Sequence, residues 1–162
     1  MSATPATLAL DAAGVSYETI EYDVPPDGSF GDAVVASLGI EPAATGKTLV
    51  AAADDQFVVA VVAVDTRLDL KALARAAGAK KARLSEPADA ERVTGFVVGG
   101  IAPLGHQRRL ELFVDEALVA HGTVHVSGGR RGLELTLSAG DLLEVTGATV
   151  APLAAPAARE SR

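Results

Sequence analysis

The sequence predicts a single-domain α/β protein of the α+β kind, with a mixed, curved, barrel-like sheet surrounded by helices. Three observations carry this expectation. The chain has 162 residues, of which 49% are hydrophobic, which suits one domain with one sizeable core. Its patterning reads α-β-α-β-β-α-β-α-β-β-β-α-β, with hairpins outnumbering βαβ crossovers, so a doubly wound sheet is not expected. Residues 57–64, FVVAVVAV, are apolar at every position, the mark of a strand buried on both faces. The domain is expected over 1–153, with 154–162 a disordered tail.

The elements follow from local chemistry. Thr4 and Pro5 open a first helix as N-cap and first helical residue, and Gly14 ends it. VSYETIEY, 15–22, alternates and is rich in β-formers, so it reads as a strand. DVPPDGSFG is a loop by composition. DAVVASLG is a short helix stopped by Gly39. KTLVAAA and QFVVAVVAV flank Asp54-Asp55 and form a hairpin. LDLKALARAAG is a helix capped by Asp69 and stopped by Gly78. AKKARL is a short strand, and a helix begins at Ser85 in SEPADAERVTG. RRLELFVDE, TVHVS and LELTL are strands, SAGDLLEVTG a last helix and ATVAPL a last strand.

Composition narrows the function classes. The net charge of −7 argues against coating nucleic acid by bulk electrostatics, though not against a local basic patch. The chain has no Cys, which excludes disulfides and thiolate metal sites. No apolar run reaches the length of a membrane span, and the N-terminus lacks the basic start of a signal peptide, so a cytoplasmic location is the expectation. The three His do not form an HExxH or HxH pattern, and no metal site is expected. His125 and Ser127 share one strand face, but side chains so placed stand side by side, and no GxSxG elbow accompanies them. Gly46-Lys47-Thr48 ends an imperfect P-loop that leads into a strand, so the helix N-terminus a P-loop needs is missing. Lys47 is then either a snorkelling edge lysine or a group that meets a ligand.

Two glycine loops remain, GGIAPLG at 99–105 and SGGRRG at 127–132. Backbone N–H groups in such loops can receive an oxyanion or a phosphate. Two ordinary tight turns are the plainer reading of each alone. Two such loops with basic flanks, plus Lys47 before a strand, point to a pocket.

As a set, FGDAVVASLGI, KTLV, LDLKALARAAGAKKARL, TGFVVGGIAPLGHQRRL, VSGGRRGLEL and DLLEVTGA resemble the YbaK/EbsC family of aminoacyl-tRNA deacylases, related to the editing domain of bacterial prolyl-tRNA synthetases. The likeness runs from about residue 4 to 153. It implies a mixed α/β fold like that editing domain and a trans-editing enzyme. Such an enzyme hydrolyses the ester of mischarged tRNA, most often Cys-tRNA(Pro), without cofactor, metal or protein nucleophile. By the same resemblance Lys47, Gly99 and Ser127 are the catalytic positions, and Tyr22, Phe30, Gly100, Ala102 and Gly128 bind substrate. Lys80, Lys81, Arg108, Arg109, Arg130 and Arg131 are candidates for tRNA contact. Mischarged tRNA is the implied partner, with prolyl-tRNA synthetase beside it, and neither DNA nor a membrane is expected. Family loops usually read GGISPLG, so Ala102 and the following His106 are departures that bear on amino-acid specificity. A deacylase for another small amino acid such as Ala-tRNA(Pro), or a non-catalytic module binding a tRNA end or nucleotide, stands as the alternative.

The chemistry of an aminoacyl ester fits a chain without a triad. The ester is already activated, so orientation and backbone stabilisation of developing negative charge can carry much of the rate. By the same resemblance, the attacker for cysteine is the substrate's own thiol, and for other amino acids a water.

Overall fold

The computed structural model describes residues 3–26 and 32–157, with the backbone alone for 32–34. Helix α1 spans Pro5–Ala12, and its start is the predicted one: Thr4 and Thr7 form a reciprocal capping box. Strand β1 is Glu18–Glu21, and α2 is Asp32–Ser37. A 3-10 turn at Pro42–Ala44 leads into β2, Gly46–Ala53, which returns as β3, Gln56–Ala63. Asp54 takes the left-handed conformation at this hairpin, with φ 52°, and its carboxylate accepts the N–H groups of Lys80 and Lys81.

Next come β4, Thr66–Leu68, and α3, Leu70–Ala77, capped by Asp69 and closed by left-handed Gly78 as the sequence predicts. Strand β5 is Ala82–Leu84 and α4 is Pro87–Thr94. After a loop come β6, Glu111–Asp115, the single-turn α5, Glu116–Val119, and the β7–β8 hairpin, Thr123–Ser127 and Leu133–Ser138. Helix α6 is Ala139–Thr146, followed by β9, Thr149–Ala151, and β10, Ala154–Pro156.

Hydrogen bonding divides the strands into three sheets where the sequence suggested one. The five-stranded sheet has the order β5-β2-β3-β6-β9, the three-stranded one β1-β8-β7, and β10 pairs with β4. The larger sheet is mixed, because β3–β6 and β6–β9 are parallel and the rest antiparallel. A single bridge, Thr45 to His125, links the two larger sheets.

Both faces of the five-stranded sheet are covered, as the unbroken apolar run of β3 requires. Val59 and Val61 face a core shared with the β7–β8 hairpin, α1, α4 and α6. Val58, Ala60 and Val62 face a second core with Leu73 of α3, Phe113 and Leu153.

The predicted tail is corrected at its start, since Ala154–Pro156 is a strand paired with β4. The reason is a buried carboxylate: Asp115, 3% exposed, accepts the N–H groups of Leu153 and Ala154 at 2.8 and 3.1 Å. A composition argument cannot see such a clamp, because Asp115 lies 38 residues upstream of the first of them. Residues 158–162 of that tail lie outside the described residues.

Candidate functional site

Strand β5 pairs with β2 only from Ala51 to Ala53. Upstream of these residues the same edge of β2 carries no strand partner among the described residues, and the last bond across it is Ser85 N–H to the Val50 carbonyl at 3.0 Å. A cavity of about 540 Å³ opens along this edge, within the size range of small-molecule sites. Its floor is Gly46 to Val50. Leu84, Ser85, Pro87 and Ala90 close one side, Val98, Gly99 and Ile101 another, and Tyr22, Ser127, Arg131 and Glu134 a third.

Five of the positions singled out from sequence thus line one cavity: Tyr22, Lys47, Gly99, Ser127 and Arg131. They come from four separate stretches of chain. Lys47 sits on β2 opposite Val62 of β3, and its ammonium donates to the Thr66 carbonyl at 2.6 Å. That bond anchors it at the end of the β3–β4 turn. The Tyr22 backbone N–H is tied to Gly132 O at 2.9 Å. Burial, and to a smaller degree the charge of Glu134, push the Tyr22 phenol above its ordinary value. The Ser127 hydroxyl accepts the Gly129 N–H at 3.3 Å, holding the turn that follows.

Gly100, Ala102 and Gly128 are not at the cavity surface; they build its support. A Cβ on Gly100 would lie 2.7 Å from the backbone of Arg130 and Arg131. Only glycine therefore lets the 99–105 loop pack against the 127–132 loop. Gly128 is similarly closed by the Leu133 side chain, 2.6 Å from where a Cβ would stand. Ala102 is fully buried, and its carbonyl accepts the Nε2–H of His106 at 2.8 Å. His106 packs edge-on against Phe96, and burial holds its pKa below the usual value. It is therefore neutral at pH 7, with the proton on Nε2. Phe30 lies outside the described residues.

The expectation that the loop amides point at a ligand needs correction in detail. The Gly100 N–H bonds Val97 O, the Gly128 N–H bonds Leu133 O, and the Gly129 N–H bonds Ser127 Oγ. These donors are consumed in holding the loops. Gly99, exposed and left-handed at φ 91°, is the loop glycine that reaches the cavity.

The basic candidates do not form one patch. Arg131 lines the cavity mouth, with its Nε donating to Val98 O at 2.9 Å. Arg130 beside it pairs with Glu21 at 3.7 Å. Arg108 and Arg109 line a different groove with Gln56, Phe57 and Thr146, at the far end of the β2–β3 hairpin. Lys80 and Lys81 also lie at that end, beside Asp54, roughly 20 Å from Lys47 at the rise of a strand.

The His125–Ser127 pairing is not made. His125 Nδ1 instead meets Thr136 Oγ1 at 2.8 Å, so each side chain is engaged separately. Among the described residues no group of three or more His, Asp or Glu could hold a metal ion, and no helix is long and apolar enough to cross a membrane.

Sequence reasoning missed Glu134, Thr48 and Ser85. All three line the cavity, and each carries a buried side-chain oxygen without a hydrogen-bond partner among the described residues. The fourth such atom is Arg130 Nε, on a residue that does not itself line the cavity. A buried polar atom without a partner is costly unless a ligand or water satisfies it. Glu134 escaped notice because LELTL alternates, which assigns its glutamate to the solvent face. The only signal was its position two residues after a glycine loop.

Comparisons with known proteins agree on the kind of domain this is. The aminoacyl-tRNA editing domain matches residues 27–145, a span that holds Lys47, both glycine loops and Glu134. The chain is 34% identical over 133 residues to "Putative Cys-tRNA(Pro)/Cys-tRNA(Cys) deacylase EbsC" of Enterococcus faecalis, covering 82% of this chain and 81% of that one. It is 38% identical over 64 residues to "Multifunctional Ser/Thr-tRNA deacylase ProXp-y" of Escherichia coli, covering 40% of this chain and 38% of that one. Among solved structures, one described as "a putative trans-editing enzyme for prolyl tRNA synthetase" superposes with a TM-score of 0.82 at 27% identity, covering 96% of this chain and 99% of that one.

Proposed function

This chain belongs to the aminoacyl-tRNA editing domain family, and from that premise we propose that it is a trans-editing deacylase that clears cysteine from Cys-tRNA(Pro). The observation that carries the proposal is the meeting of Lys47, Gly99 and Ser127 at one cavity. The similarity to EbsC supports the choice of substrate.

In this reading the 3′-terminal aminoacyl-adenosine enters along the open edge of β2. The Lys47 ammonium faces the ribose or terminal phosphate, where a positive charge offsets the anionic backbone. Gly99 allows the chain to approach the ester without a side chain in the way, and its N–H faces the oxygen on which negative charge develops. Ser127 holds the aminoacyl group by a hydrogen bond. The cysteine thiol then attacks its own ester carbonyl and the ribose hydroxyl leaves, forming a thiolactone that water opens to free cysteine. Intramolecular attack makes proximity the main contribution, so no protein nucleophile is needed. For amino acids without a thiol, water attacks directly. Acting on charged tRNA places the protein in the cytoplasm, and the likeness to a trans-editing enzyme supports work beside prolyl-tRNA synthetase.

A second reading keeps the reaction and changes the amino acid. The match to a Ser/Thr-tRNA deacylase favours testing serine and threonine beside alanine. A panel of tRNA(Pro) charged with Cys, Ala, Ser or Thr decides between these. Turnover of Cys-tRNA(Pro) above the uncatalysed rate is the expected result. Turnover of another member alone moves the assignment to that amino acid. Binding without turnover of any leaves a non-catalytic module.

A further inference from the structure

Glu134 is the least expected residue of the pocket. It lies on β8 between Ile20 of β1 and Ser127 of β7, is 2% exposed, and lines the cavity. Among the described residues its Oε2 has no hydrogen-bond partner. Neither of the two ion pairs among the described residues involves it. Arg131 lines the same cavity, but its guanidinium turns to the Val98 carbonyl. A carboxyl group this buried, without a counter-charge from the protein, is expensive to maintain. A cationic group brought by a ligand would offset the cost of ionising it.

The proposed substrate supplies one candidate. An aminoacyl ester at a tRNA end consists of a neutral nucleobase, ribose hydroxyls, anionic phosphates, the ester and a small neutral side chain. Its single cationic group is the α-ammonium, one bond from the ester carbon's neighbour. We propose that Glu134 is the residue that recognises the α-ammonium group of the aminoacyl ester, so that the pocket selects free aminoacyl-tRNA over N-blocked or α-hydroxy acyl esters. The inference rests on the deacylase reading and adds to it a specificity element.

Burial pushes the Glu134 carboxyl up to about 8 in the empty pocket, so it waits in the neutral form. The α-amine of an ester is less basic than that of a free amino acid. The two groups therefore share one proton, and the pair is neutral overall whether the proton sits on the carboxyl or on the amine. Its placement opposite Ser127 puts this contact beside the residue proposed to hold the aminoacyl group. An ester with hydroxyl in place of amine brings no charge and leaves Oε2 poorly matched.

The test compares the aminoacyl-tRNA that the wild-type protein hydrolyses best with the same tRNA acylated by the corresponding α-hydroxy acid. Wild type should prefer the amine-bearing substrate by at least tenfold in kcat/KM. Glu134→Gln should lose at least tenfold on that substrate and bring the ratio of the two substrates close to one. A wild-type ratio near one overturns the inference and needs no variant. An equal loss on both substrates in the variant also overturns it, because Glu134 would then act on the ester or on the fold. If wild type hydrolyses no charged tRNA at all, the deacylase reading itself fails, a result distinct from either of these.

Discussion

Ser127 and Glu134 stand opposite each other across the β7–β8 ladder, and both line one cavity although Ser127 is half-buried and Glu134 is sealed from solvent. The carboxyl's raised value, about 8, makes the empty site a liability to the fold. Between pH 4.5 and 8 the folded chain keeps the proton that the unfolded chain releases. Stability from this group is therefore full below pH 4.5 and lost as pH rises to about 8, by up to roughly 5 kcal/mol. Glu134→Gln should melt higher than wild type at pH 8.5 and within a degree or two of it at pH 4.5. Equal melting temperatures at both pH values would show that the carboxyl ionises in the fold without cost.

The contact between the two glycine loops is backbone against backbone. A methyl at Gly100 would stand 2.7 Å from Arg130 C and Arg131 N, atoms that cannot rotate away. Gly100→Ala should cost about 1–3 kcal/mol and lower the melting temperature by roughly 3–10 °C. It should also depress deacylation beyond what the lost stability explains, because the loops forming one wall must part. Calorimetry with kinetics well below the melting point separates the two effects.

Position divides the arginines. Arg131 is at the cavity mouth, whereas Arg108 and Arg109 line the separate groove near Gln56. Arg131→Ala should raise KM for charged tRNA severalfold more than Arg108→Ala or Arg109→Ala does. A larger effect at Arg108 or Arg109 would make that groove the principal tRNA contact.

Ala102 is where the loop departs from the usual family pattern, yet its side chain is wholly buried and away from the cavity surface. Ala102→Ser should leave the order of preference among charged tRNAs unchanged. Its cost is stability, about 1–3 kcal/mol if the new hydroxyl finds no partner. A reordering of substrates in the charged-tRNA panel would show that this loop position sets specificity after all.

Local signals made most of the fold legible. The Thr4 capping box, the Asp69 cap, Gly78, and the Asp54 hairpin all act within a few residues of the elements they define. The β10–β4 pairing was not legible because the Asp115 carboxylate that pins it is distant in sequence. Lys47, Gly99 and Ser127 came from motif resemblance, and the geometry gathers them. Glu134 could not come from periodicity, which sends it to solvent. It sits in the middle of its sheet, with β1 on one side and β7 on the other, and it shares a cavity with Tyr22 and Arg131, long-range facts that a strand's own sequence does not hold. The split of the sheets at the open edge of β2 was equally hidden, since it depends on β5 being only three residues long.

The most direct test of the central claim is the rate of cysteine release from Cys-tRNA(Pro) by wild type and Lys47→Ala. Lys47 lines the cavity floor, and its ammonium donates to the Thr66 carbonyl. Wild type should deacylate well above the uncatalysed rate, and Lys47→Ala should fall at least a hundredfold while its circular dichroism and melting curve stay close to wild type. Undiminished release by the variant, or none by wild type, would contradict the account.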